Sequence, residues 1–427
     1  MRKMKDSGFE WIGEIPEQWE IGRIKDYCDI KTGSTPNTKI TEWFDGDVQW
    51  FTPGDFSDNF ILEKSSRTLS QKSIDDNLVC LFPEQTIMLI GIGGTAGKVG
   101  VTRVPSYCNQ QITALIPRKI YSKHFMYWLV ANTDALRSNA LYTTLPIINN
   151  QTIGNYVCVI PNTYKEQKEI ADYLDMRCSE IDSLVSDIQK QIDTLEEYKR
   201  SVITEAVTNG LDRDVDMRDS GVQWIGMIPK HWKVDNPKWH FVQRKDRATK
   251  GLVQLTASQK YGVVTQDEYM ELTGAKIVTV EKDFDILKLV CPGDFIIHMR
   301  SFQGGLEYSE KYGSISSAYV MLIPQKTILE PRYYKWFFKS PVYIDALSST
   351  TNLIRDGQAM RYANFIQLPI ILMPEAEQRA IADYLDEKCT EIDSIISEKK
   401  RQIETIEEYK KSLIFEYVTG KKEVTVE

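Results

Sequence analysis

Residues 166–208 read EQKEIADYLDMRCSEIDSLVSDIQKQIDTLEEYKRSVITEAVT, a run of 43 residues without glycine or proline. Residues 377–419 read EQRAIADYLDEKCTEIDSIISEKKRQIETIEEYKKSLIFEYVT, and 26 of the 43 positions are identical in the two segments. Apolar side chains recur every three or four positions, which is typical of a coiled-coil helix. The sequence therefore predicts two long helices of one design, each spanning roughly 60 Å at the helical rise.

The apolar positions predict the seam through which the two helices pair. In the first segment they are Ile181, Leu184, Ile188, Leu195, Tyr198 and Val202, and in the second Ile392, Ile395, Ile406, Tyr409 and Leu413. Lys399 occupies the position equivalent to Ile188. A polar residue in a seam can set the register of a coiled coil, and a lysine can equally extend its ammonium group from the edge into water, so both interpretations stay open.

A shorter motif is also repeated, and each copy stands well before one of the long helices in the sequence. Residues 6–19 read DSGFEWIGEIPEQW, and residues 219–232 read DSGVQWIGMIPKHW. Two repeats in the same order indicate an internal duplication. We interpret Trp11, Trp19, Trp224 and Trp232 as structural anchors that dock a domain against a helix end, driven by burial of their large aromatic surfaces.

The segments between the repeats differ in sequence but share an order of elements. TIMLIGIGGTAGKVGVTRV followed by NQQITALIP parallels DFIIHMRSFQGGLEYS followed by SSAYVMLIP, and each predicts a strand, a glycine turn and two further strands. An aromatic-rich helix follows, around Tyr127 and Trp128 in one insert and around Tyr334 and Trp336 in the other. The fold class is α+β, with two mixed α/β domains and an internal repeat.

These features divide the chain into seven parts. They are a first proximal motif (1–19), a first variable domain (20–165), a first long helix (166–208), a linker with the second proximal motif (209–232), a second variable domain (233–376), a second long helix (377–419) and a tail (420–427).

Charge is distributed unevenly over these parts. The formal net charge is −8, but the acidic excess lies on the two long helices and the variable domains are mildly basic. A nucleic-acid partner for the variable domains is therefore compatible with the composition. The N-terminus lacks the apolar core of a signal peptide, so we expect a cytoplasmic location. The cysteines and histidines have no metal-ligand spacing, and we expect no metal site.

The segment Gly91–Lys98, GIGGTAGK, superficially resembles a phosphate-binding loop. Ile92 stands where that motif requires glycine, and Val99 stands where it requires serine or threonine. The segment is better explained as a turn through which the backbone approaches DNA, or as a plain hairpin turn.

The arrangement of proximal motif, variable domain and long helix, present twice, resembles the DNA-specificity subunits of type I restriction–modification systems, the HsdS family. The resemblance covers nearly the whole chain and is carried by EQ..IADYLD, by WIG.IP.W, by GSTPNTKITEWFDGDVQWFTPGD from Gly33 and by RSFQGGLEYS from Arg300. It implies that each variable domain is a target-recognition domain reading one half of a bipartite double-stranded DNA site. It further implies that the long helices pair antiparallel as a spacer with pseudo-twofold symmetry.

The resemblance also implies partners and cofactors. Two modification subunits bind the helices, supply S-adenosylmethionine and methylate adenine at N6, and two restriction subunits that use ATP and Mg²⁺ can join them. The chain itself is then non-catalytic, with no catalytic residue and no cofactor of its own.

Base edges are read by forked donors and acceptors, whereas phosphates accept almost any donor. Polar residues of the predicted loops are therefore the DNA-binding candidates. They are Lys31, Ser34, Thr35, Lys98, Asn109, Gln110 and Gln111 in the first variable domain, and Lys250, Arg300, Ser301, Gln303, Ser316, Ser317, Tyr319, Arg355 and Arg361 in the second.

Two other functions remain possible on the sequence alone. A coiled-coil adapter without a DNA role would agree with the acidic helices and the negative net charge. A self-contained DNA-modifying enzyme would require catalytic motifs, and none of the required patterns is met in the sequence.

Overall fold

The computed structural model describes residues 2–57, 59–138, 141–142, 146–277, 286–350 and 360–424. Its longest elements are two helices, Tyr164–Asn209 and Glu375–Val418, which we call the first and second long helix. Gly210 and Gly420 follow these helices with φ angles of +78° and +73°, the left-handed conformation that commonly ends a helix. The predicted long helices are confirmed.

The chain forms two compact units, and each contains part of both long helices. The first unit comprises Met1–Ile188 and Arg401–Glu427, and the second comprises Gln189–Lys400. The last turns of the second long helix therefore belong to the same unit as the N-terminal proximal motif. Because the chain returns to its first unit, residues far apart in sequence share one core.

An equivalent ion pair joins the long helices in each unit. Lys410 Nζ lies 2.6 Å from Asp182 Oδ1 in the first unit, and Lys199 Nζ lies 2.6 Å from Asp393 Oδ2 in the second. The two lysines occupy equivalent positions of the repeat, as do the two aspartates. In both units, a residue from the first half of one helix faces a residue from the second half of the other. The long helices therefore pair antiparallel, as expected.

The predicted seam is correct at five buried positions and at two half-buried ones, but wrong at four exposed ones. The buried residues are Ile181, Ile188, Val202, Ile392 and Leu413, and the half-buried ones are Leu195 and Ile406. The exposed predicted residues, at 40–50% exposure, are Leu184, Tyr198, Ile395 and Tyr409. After Ile181, the next residue of the seam is Val185, four positions later, and not Leu184. Leu184 therefore faces solvent.

The first unit is built on a five-stranded sheet of order β4-β11-β8-β9-β6. The strands of the whole first unit are β1 (Met4–Asp6), β2 (Glu14–Pro16), β3 (Glu20–Arg23), β4 (Cys28–Thr32), β5 (Phe44–Phe51), β6 (Ile61–Leu62), β7 (Thr68–Leu69), β8 (Ile87–Ile90), β9 (Val99–Thr102), β10 (Tyr107–Cys108), β11 (Ile112–Pro117), β12 (Leu141–Tyr142), β13 (Pro146–Ile147) and β14 (Val157–Ile160). Its helices are α1 (Ile24–Tyr27), α2 (Gln71–Asp75), α3 (Ser122–Ala131), α4 (Thr133–Ser138) and α5 (Asn150–Asn155).

The second unit is built on a four-stranded sheet of order β18-β25-β22-β23. Its strands are β15 (Met217–Asp219), β16 (Met227–Pro229), β17 (Lys233–Asp235), β18 (Phe241–Gln243), β19 (Leu255–Ser258), β20 (Gly262–Thr265), β21 (Lys288–Val290), β22 (Phe295–Ile297), β23 (Glu307–Tyr308), β24 (Gly313–Ile315), β25 (Val320–Pro324) and β26 (Ile370–Leu372). Its shorter helices are α6 (Gln266–Thr273), α7 (Ser301–Gly304), α8 (Pro331–Phe337), α9 (Pro341–Ser349) and α10 (Tyr362–Phe365).

The two core sheets share the predicted order of elements. Strands β8, β9 and β11 of the first unit correspond to β22, β23 and β25 of the second, and α3 and α8 are the aromatic-rich helices. One difference lies between the first two strands. The predicted glycine turn is a loop in the first unit, but in the second unit the connection contains the short helix α7.

The repeated sequence motifs form the same hydrogen bonds in each unit. Trp19 Nε1 donates to Glu166 Oε1 at 3.1 Å, and Trp232 Nε1 donates to Glu377 Oε2 at 2.8 Å. Each glutamate lies in the first turns of a long helix. These two tryptophans are almost fully buried, so they anchor each proximal motif to a helix start as the sequence suggested.

The glutamine after each of these glutamates is also buried and satisfies two backbone groups. Gln167 donates to the carbonyl of Pro161 and accepts from the amide of Tyr121, while Gln378 bonds in the same way to Met373 and Glu330. The last aspartate of IADYLD binds the aromatic-rich helix, with Asp175 accepting from the Tyr127 hydroxyl and Asp386 from the Trp336 indole, both at 2.9 Å. The identical positions of the repeat thus hold each variable domain on the long helices.

Candidate nucleic-acid interface

In the first unit, three separate segments with predicted DNA-binding residues meet at one end of the core sheet. The amide of Gly91, just after β8, donates to the carbonyl of Gln111, just before β11, at 2.7 Å. The amide of Ser34, just after β4, donates to the carbonyl of Cys108 at 2.9 Å. Because β4 and β8 both pair antiparallel with β11, the residues after β4 and β8 lie beside the residues that enter β11.

Close packing holds the loop after β4 against the loop before β11. A Cβ atom on Gly33 would lie 2.3 Å from the carbonyl oxygen of Asn109, so only glycine fits there without a shift. Trp50 Nε1 donates to the carbonyl of Ser34 at 3.1 Å, and the Thr35 hydroxyl bonds to Gln110 Oε1. Thr35 and Gln110 are thus paired at this surface.

Two of the predicted contacts in this loop cluster are inside the protein. The hydroxyl of Ser34 is buried, and Asn109 is 7% exposed. Asn109 Oδ1 accepts from the amide of Gln111, and its Nδ2 donates to Gln111 Oε1, both at 3.1 Å. Neither side chain is available as a surface contact in this conformation, and Asn109 instead orients Gln111. Lys31 and Lys98, in contrast, are exposed.

The structure adds polar residues that the sequence analysis missed. A groove of about 380 Å³ runs along this end of the sheet and is lined by Gln110 and Gln111 together with Asn149, Asn150 and Gln151 from the start of α5. The Asn150 side chain is held by the hydroxyls of Thr113 and Thr32, at 3.0 and 3.2 Å. The run Asn-Asn-Gln was visible in the sequence, but nothing local placed it beside β11.

The second unit gathers predicted residues at the corresponding end of its sheet. The connection after β22 carries Arg300 and Gln303, both exposed, and the segment before β25 carries Ser316 and Ser317, also exposed. The His298 and Tyr319 rings are 6.3 Å apart, and they bring the two segments together.

Ser301 does not belong to this exposed surface. It is fully buried, and its hydroxyl accepts a hydrogen bond from the amide of His298 at 2.9 Å. The short helix α7 turns this side chain inward, where it closes the connection between β22 and β23. The structure therefore places Ser301 inside the protein, apart from the exposed residues that were predicted to contact DNA.

Buried charged groups support the same connection from inside. The Glu307 carboxylate bonds to the Lys339 ammonium group, which also donates to the carbonyl of Gly304 at 3.0 Å. Gly305 has a φ angle of +75°, and an added Cβ would lie 1.9 Å from the carbonyl oxygen of Phe338. The backbone beneath Arg300 and Gln303 is therefore held in one arrangement.

A second groove, of about 310 Å³, lies next to the segment that precedes β25. Its polar lining includes Ser316, Ser317 and Tyr319. The carbonyl of Tyr319 accepts from Lys288 Nζ at 2.6 Å. Burial, with a further contribution from nearby Arg247, lowers the pKa of Lys288.

The remaining predicted residues are less closely placed. Lys250 and Arg361 are exposed, and they are not among the described residues that line either groove. Arg355 lies outside the described residues. In the described ranges, no three His, Cys, Asp or Glu side chains are grouped to hold a metal ion. No helix in the same ranges is long and apolar enough to cross a membrane.

Sequence comparison identifies the type of domain. A family model for the type I restriction modification DNA specificity domain matches residues 16–194. The MjaIX specificity subunit of Methanocaldococcus jannaschii is 29% identical over 190 residues, which are 43% of this chain and 43% of that protein. The MjaVIII specificity subunit of the same organism is 22% identical over 433 residues, covering 95% of this chain and 93% of that protein.

Solved structures agree on the fold. A chain from a study of complex assembly and conformational transition of the type I R-M system has a TM-score of 0.70 at 11% identity, covering 96% of this chain and 99% of that one. The HsdS subunit from Thermoanaerobacter tengcongensis has a TM-score of 0.50 at 12% identity, covering 98% and 100%. Residues 16–194 therefore match the type I restriction modification DNA specificity domain, and the chain as a whole has the fold of these solved structures.

Proposed function

We propose that this chain reads a bipartite double-stranded DNA site, with one half recognised by each variable domain, and that it carries no catalytic centre of its own. The observation that carries the proposal is the clustering of exposed polar side chains at the same end of both core sheets. Loops at the ends of a rigid sheet are common positions for recognition residues. In the first domain they include the exposed Gln110, beside the half-buried Gln111, and in the second they are Arg300 and Gln303.

We further propose that two modification subunits dock on the long helices. Leu184 and Ile395 are equivalent in the repeat, as are Tyr198 and Tyr409, and all four are 40–50% exposed. Apolar side chains exposed at equivalent positions of both helices suit two copies of one partner. The uninterrupted helices of 46 and 44 residues would then set the spacing between the half-sites.

The partners would supply the chemistry. S-adenosylmethionine would bind in the modification subunits, which would methylate adenine, and restriction subunits, where present, would use ATP and Mg²⁺. The specificity subunit would contribute only sequence recognition and assembly, in the cytoplasm.

Base-resolved mapping of methylated adenine tests this function. A host expressing the chain with its modification partner should carry methylation at one bipartite motif. Exchange of residues 20–165 for those of a relative should change one half of the motif, and exchange of 233–376 should change the other. A change in both halves after either exchange would show that the domains do not read DNA independently, and methylation without any motif would refute the reading role.

A further inference from the structure

The groove of the first unit presents amide groups of restricted orientation. The oxygen of Gln111 already accepts a hydrogen bond from Asn109 Nδ2. The oxygen of Asn149 caps α5 by accepting from the amide of Thr152 at 2.8 Å, and that of Gln110 bonds to the Thr35 hydroxyl. In these three groove residues, Gln110, Gln111 and Asn149, the carbonyl oxygen is engaged within the protein.

Backbone groups determine the orientation of two of these amides. The backbone N–H of Gln111 donates to one atom of the Asn109 side-chain amide, so that atom is its oxygen, Oδ1. The other atom of that amide is then the NH₂ group, and the Gln111 side-chain atom that faces it must be the oxygen. A backbone N–H likewise identifies the bonded atom of Asn149 as oxygen. A side-chain amide has two N–H donors and one oxygen with two lone pairs. The oxygen of Asn149 accepts from both the amide and the hydroxyl of Thr152, and that of Gln111 faces the buried Asn109 side chain, so the NH₂ groups of Gln111 and Asn149 are the parts left for a ligand.

The lining is neutral as well as rich in donors. None of the described residues that line the groove carries a formal charge, and Ile92 and Ile147 form part of its wall. Affinity for the phosphate backbone comes mainly from lysine and arginine, whereas base edges are read by directed hydrogen bonds and apolar contacts, which amide side chains and isoleucines can supply. The groove therefore suits a base edge better than the DNA backbone.

Among the bases, guanine presents two acceptors in the major groove, O6 and N7, whereas adenine presents one acceptor and one donor. Bidentate reading of adenine needs the amide oxygen as well as the NH₂ group. Because that oxygen is engaged here, we propose that the groove reads a guanine in the first half-site through NH₂ groups that include those of Gln111 and Asn149. This proposal rests on the proposed DNA-reading function and assigns the base class to one of its sites.

Gln111→Glu gives a direct test in the complex with the modification partner. Glutamate keeps an oxygen for Asn109 but replaces the NH₂ donor by a second acceptor. Methylation mapping should show one guanine of the first half-site losing its preference, by roughly five- to a hundred-fold. The second half-site should not change. Gln18→Glu, at an exposed position of the first unit outside the groove, is the matched control and should leave the motif intact.

Modified DNA provides a test that does not depend on the folding of a variant. Each guanine of the first half-site is replaced in turn by 7-deazaguanine, which lacks the N7 acceptor, and binding of the unmodified protein complex is measured. At least one replacement should weaken binding several-fold, at the position that Gln111→Glu alters. A first half-site without a required guanine, unchanged binding at every replacement, or an altered adenine or thymine would overturn the proposal. In each of these cases a defined methylated motif would still support the DNA-reading function.

Discussion

Gly420 provides a test of whether the end of the chain completes the first unit. The residue follows the second long helix with a φ angle of +73°. An added Cβ would lie 2.4 Å from Pro16 Cδ and 3.0 Å from Trp19 Cη2. Gly420→Ala must therefore displace the first proximal motif, which lies about four hundred residues earlier in the sequence.

Two terms set the size of this effect. A left-handed conformation costs a non-glycine residue about 1–2 kcal/mol. Forcing a methyl group into close-packed surroundings costs about 1–3 kcal/mol more. Gly226→Ala is the matched control, because Gly226 has the same φ angle of +73° but no heavy atom within 4 Å of the added Cβ. We expect Gly420→Ala to lower the free energy of unfolding by about 2–5 kcal/mol, and Gly226→Ala to lower it by about 1–2 kcal/mol, the backbone cost alone.

Hydrogen exchange in the full-length protein locates the change. In Gly420→Ala, amides of residues 14–23 should exchange faster, whereas amides of residues 227–235 should keep their protection. In Gly226→Ala, residues 14–23 should be unaffected. If Gly420→Ala altered exchange only within residues 401–424, the packing of the chain end on the first proximal motif would be refuted.

Three further changes test other contacts. Burial lowers the pKa of His124 to about 3, whereas the unfolded chain has a histidine pKa of about 6.5. The first unit should therefore lose about 2 kcal/mol of its free energy of unfolding on acidification to pH 5. In fluorescence-monitored unfolding, His124→Leu should remove this pH dependence, and an unchanged pH profile would contradict the assignment. Lys339→Met leaves the Glu307 carboxylate buried without its cation and should destabilise the second unit by about 3–5 kcal/mol in denaturant unfolding. Adding Glu307→Gln should recover much of this loss. A double variant as unstable as the single one would argue against the ion pair. Asp393→Lys should cost about 1 kcal/mol by facing Lys199, and adding Lys199→Asp should restore stability in a double-mutant cycle, whose coupling energy would be zero if the ion pair did not form.

The sequence was sufficient for the features that depend on local pattern. The long helices follow from glycine-free segments with apolar spacing, and the shared strand order follows from short apolar runs between turn residues. The anchor role of Trp19 and Trp232 followed from their presence in both repeats. The partners of these indoles, Glu166 and Glu377, became identifiable only when the fold brought the motifs together.

The details that failed depend on tertiary packing. Leu184 was assigned to the seam because apolar residues three or four positions after Ile181 fit a helix face equally well. Packing in the first unit, and not the local sequence, determines that Val185 faces the core and Leu184 does not. Ser301 was expected at the surface because α7 has no local signal in RSFQGG. Asn149 reaches the groove from α5, nearly forty residues after β11 begins, so proximity to Gln111 could not be predicted from spacing.

The division of labour within each unit follows from which positions the duplication keeps. Glu166, Gln167 and Asp175 bind a tryptophan, backbone groups and an aromatic-rich helix, and their equivalents in the second unit form the same bonds. These contacts lie at the base of each variable domain, whereas the grooves lie where the core strands end. Residues at the strand ends can therefore change without removing a bond that holds the domain on the helices. This separation explains how two variable domains with little sequence in common keep the same order of four core strands while presenting mainly amides in one groove and mainly hydroxyls in the other.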